Sequence, residues 1–90
     1  MTTLTREDLL ILLIEECSET IQAATKCLRF GYDVDHETGY GNNRLQLSKE
    51  LGELDAIASR LDLDLNSITK ARATKIKRAE EAKAKYGVKF

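Results

Sequence analysis

The stretch that decides the fold is "LLILLIEECSETIQAATKCLRFGY", residues 9–32. It contains no proline, and its apolar residues recur every three or four positions, which predicts an amphipathic helix. Thr5 followed three residues later by Asp8 resembles a capping box, so we expect this helix to begin near Thr5. Gly31 provides a C-terminal stop and places the end of the helix at about Phe30.

Glycine and asparagine are frequent in residues 31–43, and this composition predicts a loop. Asn42 or Asn43 can cap a second helix, which we expect to run to about Leu61. The expected apolar stripes are Leu9, Leu12, Leu13, Ile21 or Thr20, Ala24, Cys27 and Leu28 on the first helix, and Leu47, Glu50 or Leu51, Leu54, Ile57 and Leu61 on the second.

A third helix, capped by Asp64 or Asn66, is expected to end near Tyr86, before Gly87. Its apolar stripe is weaker, so we expect it to be peripheral or completed by another subunit. The predicted fold class is all-α, with two long antiparallel helices and a basic C-terminal helix. We expect one domain over residues 1–90, and a core so small that dimerisation completes it.

The formal net charge is -1, but the charges are unevenly distributed along the chain. Residues 1–64 hold 6 Lys/Arg and 13 Asp/Glu, a balance of -7, whereas residues 65–90 hold 8 and 2, a balance of +6. The basic segment can pair with the acidic one. It lacks the interleaved aromatic residues that stack on bases, so we do not expect a nucleic-acid partner.

Neither a membrane segment nor a signal peptide is expected, because no apolar run approaches the length of a membrane span. Cys17 and Cys27 lie ten residues apart on one predicted helix, too far for a disulfide. We therefore expect a cytoplasmic protein.

Four acids lie where an apolar face is expected. Glu16 and Glu19 are three residues apart, and Glu50 and Glu53 repeat this spacing on the second helix. Residues at this spacing share a helix face, so both pairs point toward the seam between the helices. Carboxylates crowded away from water repel unless a cation compensates them, and oxygen ligands suit Mg²⁺. The alternative is a solvated acidic face on each helix.

Two segments, "LIEECSETIQAATKCLRFG" and "NNRLQLSKELGELDAI", resemble the phage-type branch of the MazG-like nucleoside triphosphate pyrophosphohydrolases. These all-α enzymes carry a paired E-x-x-E and E-x-x-D signature. The resemblance covers roughly residues 8–61, and Glu53 stands where the family usually has Asp.

The resemblance implies a helical homodimer or homotetramer that binds Mg²⁺, or Mn²⁺, through Glu16, Glu19, Glu50 and Glu53. Such an enzyme would cleave a nucleoside triphosphate between the α and β phosphates, with Glu19 taking a proton from the attacking water. The residues expected to contact the nucleotide are Lys26, Arg29, Tyr32, Asn43, Arg44, Lys70 and Lys77. Tyr32, Phe30 or Tyr40 could stack on the base.

Two other functions are compatible with the sequence. One is a protein that binds nucleotides on the same scaffold without hydrolysing them, such as a viral protein that sequesters a host nucleotide signal. The other is an oligomeric helical scaffold or a nucleic-acid accessory protein.

Overall fold

The computed structural model describes residues 3–35 and 41–87. These residues form three helices, α1 (Arg6–Phe30), α2 (Asn43–Ala58) and α3 (Leu65–Tyr86), and they contain no strand. The predicted all-α class with three helices is confirmed. Tyr40, one of the residues expected to stack on a base, lies outside the described residues.

α1 begins where the sequence predicts. The Thr5 hydroxyl accepts a hydrogen bond from the Asp8 backbone N–H at 3.0 Å, and the Asp8 carboxylate accepts one from the Thr5 N–H at 2.9 Å. This reciprocal pair is a complete capping box, with Asp in place of the usual Glu or Gln. The same bonds hold the pKa of Asp8 below its ordinary value, because the Thr5 N–H stabilises the ionised carboxylate.

Gly31 ends α1 with φ at 112°, in a region that L side chains rarely adopt. A Cβ built there would lie 2.8 Å from Cγ2 of Val34, so the turn requires glycine. Beyond the turn, the Asn43 N–H donates to Val34 O at 2.8 Å and the Arg44 N–H donates to Tyr32 O at 2.9 Å. These bonds tie the beginning of α2 to the end of α1.

α1 and α2 pack against each other and run antiparallel, since Glu16 lies beside Glu53 and Glu19 beside Glu50. The predicted contact face of α1 is partly wrong. Ala23 is buried and Thr20 is half-buried, whereas Ile21 and Leu28 are 66% and 89% exposed.

On α2, the sequence left open whether Glu50 or Leu51 belongs to the face that packs on α1. Glu50 is the buried one of the two. α2 is shorter than predicted and ends at Ala58 rather than near Leu61. Its last turn tightens, because the Leu61 N–H donates to Ala58 O at 3.2 Å, three residues back. Leu61 nevertheless remains buried. The periodic spacing of apolar residues in the sequence therefore extends beyond the last residue of α2.

α3 is capped by Asp64, whose carboxylate accepts from the Asn66 N–H and the Ser67 hydroxyl. No Cα of α3 lies within 8 Å of a Cα in α1 or α2. The radius of gyration is 16.1 Å, against about 12 Å for a compact domain of this length. The basic segment therefore extends away from the acidic helices rather than folding onto them.

Candidate metal centre

The four acids singled out in the sequence meet at the seam between α1 and α2. We call Glu16, Glu19, Glu50 and Glu53 the acid cluster. One carboxylate oxygen from each residue lies within 4.8 Å of the corresponding oxygen of every other member. Three members are half-buried and Glu50 is only 5% exposed. The solvated acidic face that the sequence also allowed does not describe this arrangement.

Two oxygens of the acid cluster receive no hydrogen bond from any donor in the described chain. They are Oε2 of Glu16 and Oε2 of Glu50, and both are inaccessible to solvent. Buried polar atoms in native proteins are nearly always paired, because an unpaired one loses its hydration without compensation. These two oxygens therefore require compensation, which a bound cation or a proton shared with a neighbouring carboxyl group provides.

The electrostatics of the acid cluster are those of crowded like charges. Burial raises the pKa of Glu16, and the negative charges of Glu53 and Glu50 raise it further. The pKa of Glu19 is also raised, first by a hydrogen bond with the Glu50 carboxylate and then by the charge of Glu16. Both carboxyl groups therefore hold a proton more tightly than an ordinary glutamate, since ionisation adds charge to a confined site.

Two neighbours on α2 partly compensate the acid cluster. Lys49 Nζ lies 2.9 Å from Oε1 of Glu53 and 3.5 Å from Oε1 of Glu50. The hydrogen bond with Lys49 keeps the pKa of Glu53 below its ordinary value and raises the pKa of Lys49. Gln46 Nε2 donates to Oε1 of Glu50 at 2.6 Å.

The sequence analysis missed Lys49 and Gln46, although a signal was present. Lys49 precedes Glu53 by four residues, and Gln46 precedes Glu50 by four, a spacing that brings side chains together on a helix. Both residues contact Oε1 of Glu50, and neither donates a hydrogen bond to Oε2 of Glu50.

The donor set of the acid cluster fits a hard divalent cation. All four groups offer carboxylate oxygens, which Mg²⁺ and Mn²⁺ accept readily, and there is no sulfur or nitrogen ligand to favour a softer metal. The unpaired oxygens of Glu16 and Glu50 supply sites for such an ion within the group.

One pocket is lined by members of the acid cluster, and a second pocket shares Lys26 with it. The acid pocket, of about 220 Å³, is lined by Glu19, Gln22, Ala23, Lys26, Gln46 and Glu50. The loop pocket, also about 220 Å³, is lined by Lys26, Phe30, Val34, Asp35 and Asn43. Lys26 thus stands between a carboxylate-lined space and a more apolar one.

The remaining predicted contact residues fall into two groups. Arg29 lies over the Phe30 ring at 5.0 Å, and Arg44 lies over the Tyr32 ring at 5.8 Å while pairing with Asp33 at 3.1 Å. These pairs surround the turn at the end of α1, and Phe30 also lines the loop pocket.

Asn43, Lys70 and Lys77 lie outside the acid pocket. Asn43 is 2% exposed and lines the loop pocket, and its amide nitrogen donates to Gly31 O at 2.9 Å, so this group stabilises the turn. Lys70 and Lys77 lie on α3, which does not approach the acid cluster within one chain.

No helix in the described part of the chain has both the length and the apolar character needed to cross a membrane. No protein-family model matches the chain, and no curated protein or solved structure matches it significantly. The chemistry of the acid cluster and its pockets therefore carries the functional proposal.

Proposed function

We propose that the protein is a divalent-cation-dependent nucleoside triphosphate pyrophosphohydrolase. It would cleave the anhydride between the α and β phosphates and release a nucleoside monophosphate and pyrophosphate. The observation that carries the proposal is the acid cluster itself, in which a nearly buried Glu50 keeps an unpaired oxygen facing three other carboxylates.

The acid cluster would hold Mg²⁺ or Mn²⁺. Such an ion supplies the positive charge that stabilises the phosphate oxygens while the anhydride is cleaved. Glu16 and Glu50 contribute the oxygens that lack donors, whereas Glu53 shares its carboxylate with Lys49. This Glu53 occupies the position at which the resembling MazG-like family usually has Asp.

Glu19 is proposed as the general base. It is half-buried, lines the acid pocket, and has a pKa raised by its hydrogen bond with Glu50. A carboxylate with a raised pKa accepts a proton more readily at neutral pH than an ordinary one. In the proposed reaction a water oxygen attacks phosphorus, Glu19 accepts a proton from that water, and the P–O bond to pyrophosphate breaks.

The two pockets suit the two ends of a nucleotide. The acid pocket would hold the phosphates, with Lys26 beside them, and the loop pocket would hold the nucleoside against Phe30. Arg29, Tyr32 and Arg44 lie around the nearby turn and would contact the sugar or base. We propose that this reaction takes place in the cytoplasm.

The test is pyrophosphate release from each common nucleoside triphosphate, measured with Mg²⁺ and with a chelator. We expect release only with the metal. Glu50→Gln removes a buried carboxylate charge and should lower release at least tenfold, by loss of cation binding. Glu15→Gln is the matched control, because Glu15 is an exposed acid on α1 that lies outside the acid cluster. Release that persists in chelator, or equal losses in both variants, would contradict the proposal.

A specific observation favours a second function. The ammonium group of Lys49 already lies within 3.5 Å of two members of the acid cluster. An internal cation at this position could replace part of the metal charge, leaving a protein that binds nucleotides without hydrolysing them. Equilibrium binding in chelator, without pyrophosphate release under any condition, would select this alternative over the enzyme.

A further inference from the structure

The side of α1 that faces away from α2 is the more apolar side of this helix. Between residues 10 and 28, apolar or small side chains recur along it at alternating spacings of four and three. We call this set the outer stripe, and it consists of Leu10, Ile14, Cys17, Ile21, Ala24 and Leu28.

Most of the outer stripe is exposed in a single chain. Ile14 is 71% exposed, Ile21 is 66% exposed and Leu28 is 89% exposed. Among the described helices only α2 packs against α1, and it covers the opposite side, which bears Ala23 and the acids. The usual arrangement of a surface helix, with charges outside and apolar residues inside, is therefore inverted along α1.

The pattern of the outer stripe is that of a coiled-coil seam, in which positions a and d of a heptad repeat are apolar. The positions that flank such a seam often carry charges. Here they are uncharged: Ile11, Ser18 and Thr25 on one side, and Leu13, Thr20 and Cys27 on the other. The seam is about 27 Å long at the rise of an α-helix. An apolar surface of this extent marks an interaction site.

We propose that the outer stripe is covered by the outer stripe of a second copy of this chain, with the two α1 helices antiparallel. Identical heptad spacings interdigitate, and uncharged flanks introduce no repulsion between two copies. When a two-fold axis relates the two chains, each contributes the same surface to the contact. The assembly is then complete with two chains.

The charges at the ends of α1 decide the direction. The first turn of α1 carries Arg6, Glu7 and Asp8, which together are net negative, and its last turn carries Arg29. Glu7 continues the seam, since it lies seven residues before Ile14. A parallel pair in register would place two Glu7 side chains across from each other, whereas an antiparallel pair brings the acidic first turn of one helix beside Arg29 of the other. The helix dipoles favour the same direction.

The register follows from matching the two ends of the seam. Leu10 of one helix then lies opposite the partner's Leu28, and Cys17 lies opposite the partner's Ile21. This pairing leaves both acid clusters facing away from the contact, so the dimer does not depend on the proposed hydrolysis.

The first experiment measures mass by light scattering on the full chain. The wild type should be a dimer, and Ile21→Glu should reduce it to a monomer. Ile76→Glu on α3 is the matched control, because Ile76 is also an isoleucine that is 66% exposed; it should remain a dimer. A helical circular dichroism spectrum establishes that each variant is folded. A monomeric wild type, or equal masses for both variants, overturns the proposal.

The second experiment tests the direction by mild oxidation of a Cys27→Ser background. Adding Ile21→Cys should give a disulfide-linked dimer through Cys17 and the partner's new cysteine. The background alone, whose one thiol is Cys17, should not cross-link, because the two Cys17 side chains are offset by about 6 Å along the helix axis as well as across the interface. A cross-link through Cys17 alone overturns the antiparallel arrangement.

Discussion

Glu50 occupies a position at which helix packing favours an apolar side chain, and this one residue determines the chemistry of the seam. It lies between Leu47 and Leu54 along α2, yet it is 5% exposed and keeps one oxygen without a donor. A buried carboxylate without compensation opposes folding. Its presence at the contact between α1 and α2 is therefore the observation on which the proposed cation binding rests.

The raised pKa values of Glu16 and Glu19 predict an unusual dependence of stability on pH. When a carboxyl group has a higher pKa in the folded state, the folded chain binds protons more tightly than the unfolded one. Stability then falls as the pH rises from about 4.3, the value for an unfolded glutamate, through the raised folded values. Asp8 and Glu53, whose pKa values are lowered, act in the opposite sense, and mainly below this window.

We therefore expect the melting temperature in chelator to fall as the pH rises above about 4.3, the value for an unfolded glutamate. Glu19→Gln should flatten this slope, since a neutral amide does not titrate. Glu15→Gln should retain most of it, because the charge of Glu15 is the smallest of the contributions that raise these two pKa values and Glu15 lies outside the acid cluster. The melting temperature is measured by calorimetry at a series of pH values for the wild type and both variants. A melting temperature that rises with pH in the wild type would show that the acid cluster does not dominate the pH dependence of stability.

At the scale of elements, the capping box of α1 is the local feature with the clearest energetic effect. Thr5→Ala removes the hydroxyl that accepts from the Asp8 N–H, and the loss of such a cap costs about 1 kcal/mol. For a chain of this size, the melting temperature should fall by about 4–8 °C. Thr5→Ser keeps the hydroxyl and should restore most of the loss. Thr3→Ala, two residues earlier, is the control, and an equal fall in that variant would contradict the role of the cap.

The bounds of α1 and the cap of α3 could be predicted because they depend on local chemistry. Thr5, Asp8 and Gly31 act on backbone groups within a few residues of themselves. The end of α2 could not be predicted from the same rules. The periodicity of apolar residues indicates which residues are buried, and it does not indicate where the helical hydrogen bonds stop. Leu61 is buried although the helical hydrogen bonds stop at Ala58.

The candidate site also combines features that local spacing predicts with a contact between residues far apart in the sequence. Spacing along each helix placed the two acid pairs on the inner faces, since residues three apart share a face. Asn43 was expected, from the family resemblance, to contact the nucleotide. Its side chain bonds Gly31, twelve residues earlier, and no local pattern encodes that contact.

At the scale of the whole molecule, the chain is acidic in α1 and α2 and basic in α3, and these parts remain separate. The described core contains only three buried apolar residues, Leu9, Ala23 and Leu61. None of the residues of α3 is buried. A helix without a packed face gains little stability from tertiary packing, which supplies most of the stability of helices in proteins.

Hydrogen exchange on the full chain tests this separation. Amides of α3 should exchange roughly tenfold or more faster than those near Ala23 and Glu50, since opening α3 exposes little apolar surface. Adding Mg²⁺ should slow exchange around the acid cluster and leave α3 unchanged, because a ligand protects the elements it binds. Equal protection of α3 and α1 would mean that another chain covers α3 in solution. The dimer contact would then extend beyond the outer stripe, and Lys70 and Lys77 could reach the acid cluster of a neighbouring copy.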